Sequence, residues 1–172
     1  AHELRGLMRY FGQPGLRVPL MALIDYRGFR LVAMSILPLS DDTLVYGSRD
    51  AGRSIFASNA TFNRQMAAVA AKINIKGHFV GLQNEPKKWL HAPTDIEGHV
   101  GLDGKHYVID FGRVFPPTAE EDVHQTFLQK QFRPEFLAKY HRPLSSDAFS
   151  RFGRDADEAV HNAEVKHATE QL

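Results

Sequence analysis

Apolar residues fall along this chain in short runs, and the spacing within each run predicts its element. Leu4, Leu7, Met8 and Phe11 recur at helical spacing, so residues 2–11 predict a short helix, ended by Gln13-Pro14-Gly15. Two strongly apolar arms follow, residues 18–25 and 29–36, separated by Tyr26-Arg27-Gly28. They predict a β-hairpin. Because both arms are apolar at consecutive positions, they also predict a hairpin that is central and covered on both faces. Leu37 extends the second arm and Pro38 stops it. Residues 43–46 read as a further strand, closed by Gly47-Ser48-Arg49-Asp50.

Ser58 or Asn59 is placed to cap a helix over 60–73, running through Phe62, Met66, Val69 and Ala70. Lys76-Gly77-His78-Phe79-Val80 reads as a break followed by an extended piece, and residues 82–94 as a polar stretch with Trp89 and Leu90 turned inward. Residues 97–111 predict a second hairpin around Asp103-Gly104, a dipeptide suited to a type I′ turn. Pro116-Pro117 ends it. Short helices are predicted over 119–129, 134–140 and 146–152, docked through Phe127, Leu128, Phe132, Phe136 and Leu137. Residues 155–172 predict a polar, exposed helix. Strands, a helix, strands again and then helices make an α+β class: a mostly antiparallel sheet from two hairpins packed by helices. One domain covers 1–153, with 154–172 as a polar C-terminal helix or linker.

Composition narrows this picture in a few places. The length of 172 residues fits one domain, and a hydrophobic fraction of 43% supports a real core. Lys and Arg total 21 against 20 Asp and Glu, so the net charge of +1 gives no global argument for nucleic acid or an anionic membrane. The absence of cysteine excludes disulfides, thiolate metal sites and cysteine nucleophiles, and fits a cytoplasmic location. No apolar run approaches the roughly 18 residues that would span a bilayer, so membrane insertion is not expected. The start lacks a signal-peptide core, and opening on Ala rather than Met suggests an excised domain.

The candidate chemistry lies in the turns. Asp110-Phe111-Gly112 ends the second hairpin as a magnesium-binding Asp-Phe-Gly ends a hairpin in protein kinases. Asp95, Glu97 and His99 lie on its other arm, and Asp103 at its turn. On that reading Asp110 and Asp103 hold Mg²⁺ for ATP. A glycine-rich loop, a strand lysine and His-Arg-Asp are all missing, and the alternative is that Asp110 caps a loop or pairs with Arg113. Arg27 and Arg30 surround the first turn beside Tyr26 and suit phosphate or RNA contacts. Lys76 and His78 flank a glycine that permits close approach to a ligand, and Lys87-Lys88-Trp89 pairs charge with an aromatic ring. His99 and His106 flank one turn and are candidates to face each other, whereas His161 and His167 read as surface residues.

Three segments together resemble the Clu domain, which names the clustered-mitochondria family of large eukaryotic cytosolic proteins. They are residues 22–38, with Asp25-Tyr26-Arg27-Gly28; Leu44-Val45-Tyr46-Gly47-Ser48; and residues 98–117, leading through Asp110 to Phe115-Pro116-Pro117. They occur in family order over roughly residues 15–145. The chain reads Asp-Phe-Gly-Arg where the family pattern is more aliphatic. The resemblance implies an α+β domain that acts in mitochondrial distribution and in handling messenger RNA, as a non-enzymatic module without cofactor. It implies a protein or RNA partner, and the turns themselves place the binding surface at Arg27, Arg30, Lys76 and His78 and near Asp110 and Arg113.

Overall fold

The computed structural model describes residues 2–82, 85–119 and 130–172. In chain order its elements begin with α1 (His2–Tyr10), β1 (Leu16–Arg17), β2 (Met21–Tyr26), β3 (Phe29–Met34), β4 (Leu44–Gly47) and β5 (Phe56–Ala57). There follow α2 (Ala60–Ile73), β6 (His78–Val80), β7 (Lys88–Leu90), β8 (Glu97–Val100), β9 (His106–Ile109), α3 (Pro134–Leu137) and α4 (Glu158–Thr169). The α+β class is the one the residue pattern predicts. The main sheet has the order β1-β9-β8-β4-β5, antiparallel except where β1 runs parallel to β9.

The helix over 60–73 forms where its periodicity places it. Asn59 is the cap, its side chain accepting the Phe62 amide at 2.9 Å. Phe62, Met66, Val69 and Ala70 are all buried against the sheet. Phe62 lies between Tyr46 and His106, with ring centroids at 5.7 and 5.2 Å. Its ring occupies the space a side chain would need at Gly98. At the other end Asn74 is left-handed, and its amide donates to the carbonyls of Leu137, Tyr140 and Arg142. One residue thus ends α2 and fastens the segment after α3.

Several expectations need correction. The apolar hairpin of β2 and β3 is neither central nor covered: it forms a separate two-stranded sheet, and every residue except Met21 is exposed. The two turns exchange character. Arg27 and Gly28 both have positive φ, which is the type I′ pattern, whereas at the second turn only Gly104 does, and Gly101 N–H bonds back to the Lys105 carbonyl at 2.8 Å. His99 pairs with Tyr107 and His106 with Val100, so the two histidines point to opposite faces of the sheet. Leu90 turns inward but Trp89 does not. Residues 146–149 form turns rather than a helix, and α3 stops at Leu137. Residues 120–129, with the predicted helix and Phe127 and Leu128, lie outside the described residues. The C-terminal helix is not a free tail: His161, Val165 and Ala168 of α4 are buried, and Thr169 Oγ accepts the Ala119 amide at 2.9 Å.

Candidate functional site

The register of the β2–β3 hairpin sorts its side chains into two faces. Cross-strand partners share a face, so one face carries the pairs Ala22–Ala33, Ile24–Leu31 and Tyr26–Phe29. The opposite face carries Met21–Met34, Leu23–Val32 and Asp25–Arg30. Phe29 is 71% exposed, Tyr26 58% and Leu31 52%. Scattered apolar residues on a surface are ordinary, but a contiguous patch of this kind marks an interaction site. The hairpin also stands alone, and an isolated two-stranded hairpin is marginal in water. It is therefore an arm whose own packing is incomplete.

Arg27 and Arg30 sit at the distal end of this arm. Arg30 holds Asp25 through two bonds of 2.7 and 3.0 Å, a contact that lowers the Asp25 pKa and raises that of Arg30. The Arg27 guanidinium lies 5.4 Å from the centre of the Tyr26 ring. Arg27 also occupies a left-handed conformation, φ 48°, which Gly and Asn adopt more readily than other residues. Arg27→Asn should therefore slow exchange of the β2 and β3 amides by several-fold, the Asn-Gly pair being the better type I′ turn. It should leave the global melting temperature nearly unchanged, because this sheet lies outside the core. Amide hydrogen exchange distinguishes the two effects.

Lys76, His78 and Arg113 lie elsewhere and are engaged internally. Lys76 pairs with Glu164 of α4 at 2.7 Å. Arg113 is buried, donating to Asp95 at 2.7 and 2.8 Å, to Asp147 at 2.9 Å and to the Ser150 hydroxyl at 3.0 Å. His78 Nε2 meets Asp147 Oδ2 at 2.9 Å, and the Thr94 amide and hydroxyl donate to the same oxygen. Next to this network Asp155 holds His161. Asp147, Thr94, Asp155 and His161 were not legible as a group, because no local motif links positions so distant in sequence.

Burial alone would raise the Asp147 pKa, but the Arg113 charge, with His78 and Thr94, overrides it and holds the carboxyl at about 2. For His78 burial works downward, yet the bond and charge of Asp147 leave its pKa raised from 6.5. Asp110 shows the reverse balance for a carboxylate. Burial of its carboxyl and the adjoining Glu97 charge lift it to about 7, with a hydrogen bond joining the two carboxyls. Glu97 itself is lowered, chiefly by its bond to His99 at 3.2 Å. Asp110 as a whole is nonetheless exposed, and it is left-handed, φ 62°. It does not pair with Arg113. Asp103 stands at the other end of β9, bonded to Lys105 and Tyr107, so the two aspartates are separated by the length of a strand. Among the described residues, no three or more His, Asp or Glu side chains stand where they could hold a metal ion.

These shifts set the pH dependence. The lowered Asp147 contributes stability above its ordinary value of 3.8 that is lost as pH falls toward about 2. The raised His78 contributes stability below 6.5 that is lost as pH rises through its folded value. The raised Asp110 binds its proton more tightly when folded, so its contribution declines between 3.8 and about 7. Thermal stability is thus expected to peak on the acidic side of neutrality. Asp110→Asn, which tolerates the left-handed backbone, should flatten the decline while leaving stability near pH 4 unchanged. A melting profile that rises steadily to pH 8 would contradict both statements.

The family model described as "Clustered mitochondria" matches residues 1–120. The chain is similar to the Clustered mitochondria protein of Arabidopsis thaliana, 37% identical over 167 residues, covering 91% of this chain and 11% of that protein. It is similar to the Caenorhabditis elegans homolog, 32% identical over 134 residues, covering 71% and 10%, and to the Anopheles gambiae homolog, 35% identical over 100 residues, covering 55% and 7%. The chain therefore spans about a tenth of the length of the curated relatives it matches. No solved structure matches. Among the described residues no helix is long and apolar enough to cross a membrane.

Proposed function

Because this chain belongs to the clustered mitochondria family, we propose that it is a non-enzymatic docking module of a longer cytoplasmic protein that acts in the distribution of mitochondria. The observation that carries this reading is the β2–β3 arm, exposed and apolar on both faces apart from the Asp25–Arg30 pair. A protein partner suits it better than RNA. Three of its cross-strand pairs form a face without charge, and only Arg27 and Arg30 at the tip offer anything to a phosphate. Lys76, His78 and Arg113, spent on internal carboxylates, act in this reading by holding the domain that carries the arm.

The test is replacement of the arm in the full-length protein. Phe29→Lys combined with Leu31→Lys should abolish restoration of mitochondrial distribution in cells lacking the protein, at unchanged abundance. Full restoration would move the functional surface elsewhere. The phosphotransferase alternative has its own measurement. A metal-dependent rise of several degrees in melting temperature with ATP and Mg²⁺, lost in Asp110→Asn, would replace the docking reading.

A further inference from the structure

Resting on the docking reading, we infer that the first occupant of the arm is a second copy of this chain, held by face-to-face packing of two β2–β3 hairpins. The two faces of the hairpin are not equivalent. One carries the Asp25–Arg30 ion pair beside Met21, Leu23, Val32 and Met34, so covering it would take a charged pair out of water. The other has no charge along its length: Ala22, Ile24, Tyr26, Phe29, Leu31 and Ala33. That second face is also graded in size. Its aromatic pair stands at the tip, its isoleucine–leucine pair in the middle and its alanine pair at the base.

A surface graded in this way is complementary to itself. When two such faces pack with their strands antiparallel, the aromatic pair of one copy lies over the alanine pair of the other. The Ile24–Leu31 pairs then meet on the two-fold axis, as an isologous interface requires. Stacked sheets lie about 10 Å apart, a gap that a large residue opposite a small one fills. Six side chains from each copy make an interface at the small end of specific contacts, so the association is expected to be weak. The chain's net charge of +1 leaves little repulsion between copies. A lipid surface is a poorer occupant, because the tip that would enter first bears Asp25, Arg27 and Arg30, and free strand edges are not satisfied in hydrocarbon.

The experiment is light scattering with size exclusion on the purified chain, up to about 200 µM, a concentration that populates a weak dimer. A species of twice 19.4 kDa is expected. Leu31→Lys, at the centre of the uncharged face, should raise the dissociation constant at least about 100-fold. Val32→Lys, next to it but on the charged face, should leave the dimer intact, and circular dichroism should be the same for both. The chain lacks cysteine, so Ala22→Cys and Tyr26→Cys chains can be mixed with a short bis-maleimide. The mixture should cross-link more efficiently than either variant alone. A monomeric wild type, or equal responses to the two lysines, would overturn the inference. If the wild type is monomeric while arm variants still abolish mitochondrial distribution, the docking reading stands and its partner is another polypeptide.

Discussion

Asp147→Ala is expected to destabilise the protein by about 3–5 kcal/mol, which for a domain of this length lowers the melting temperature by roughly 10–15 °C. The reason is the company Asp147 keeps. Its carboxylate accepts from Arg113, His78 and Thr94 in a site where its side chain is 1% and that of Arg113 5% exposed. Removing it leaves a buried guanidinium with only Asp95 and Ser150. It also leaves His78 with no acceptor on Nε2. A buried charge that loses one of its two carboxylates is left under-compensated, so Arg113→Met together with Asp147→Leu should recover part of the loss. If the single variant melts within 3 °C of the wild type, Asp147 is not the centre of the network described above.

Phe62→Ala should be of similar size, about 3–5 kcal/mol by loss of a buried aromatic and the cavity it leaves. Phe62 is fully buried and packs between Tyr46 and His106 against the glycine of β8. Strands β4, β8 and β9 and the helix α2 are joined by this contact, so denaturant unfolding should shift to a lower midpoint with the slope unchanged. Phe29→Ala offers the contrast. Its ring is equally large but mostly in water, so the isolated chain should lose less than about 1 kcal/mol. Together the two phenylalanines separate residues that hold the domain from residues available to a partner.

Much of the architecture was legible because it is encoded over short distances. The helix of residues 60–73 follows from its 3.6-residue period and its asparagine cap, both local features. The first hairpin follows from paired apolar runs and the second from the Asp103-Gly104 turn between two strand-like pieces. What local pattern could not supply was the side each run faces. A strand apolar at consecutive positions predicts cover on both faces, and among the described residues β2 and β3 are exposed everywhere except Met21. One signal did point the other way. Asp25 and Arg30 become cross-strand partners once Arg27-Gly28 is taken as the two-residue turn, and an ion pair within an apolar hairpin marks a face that meets water.

The amino-acid sequence by itself determined the α+β class, the family, the two hairpins and the capped helix, since periodicity, turn chemistry and caps act between residues a few positions apart. Only the tertiary structure decided that the more apolar hairpin projects and that β1 joins the sheet beside β9. It alone decided that α4 packs rather than trails. It also decided that Lys76, His78 and Arg113 meet Glu164 and Asp147. Those partners lie 34 to 88 positions away in the chain, and the charge on a lysine, histidine or arginine does not reveal which distant carboxylate folding will bring to it.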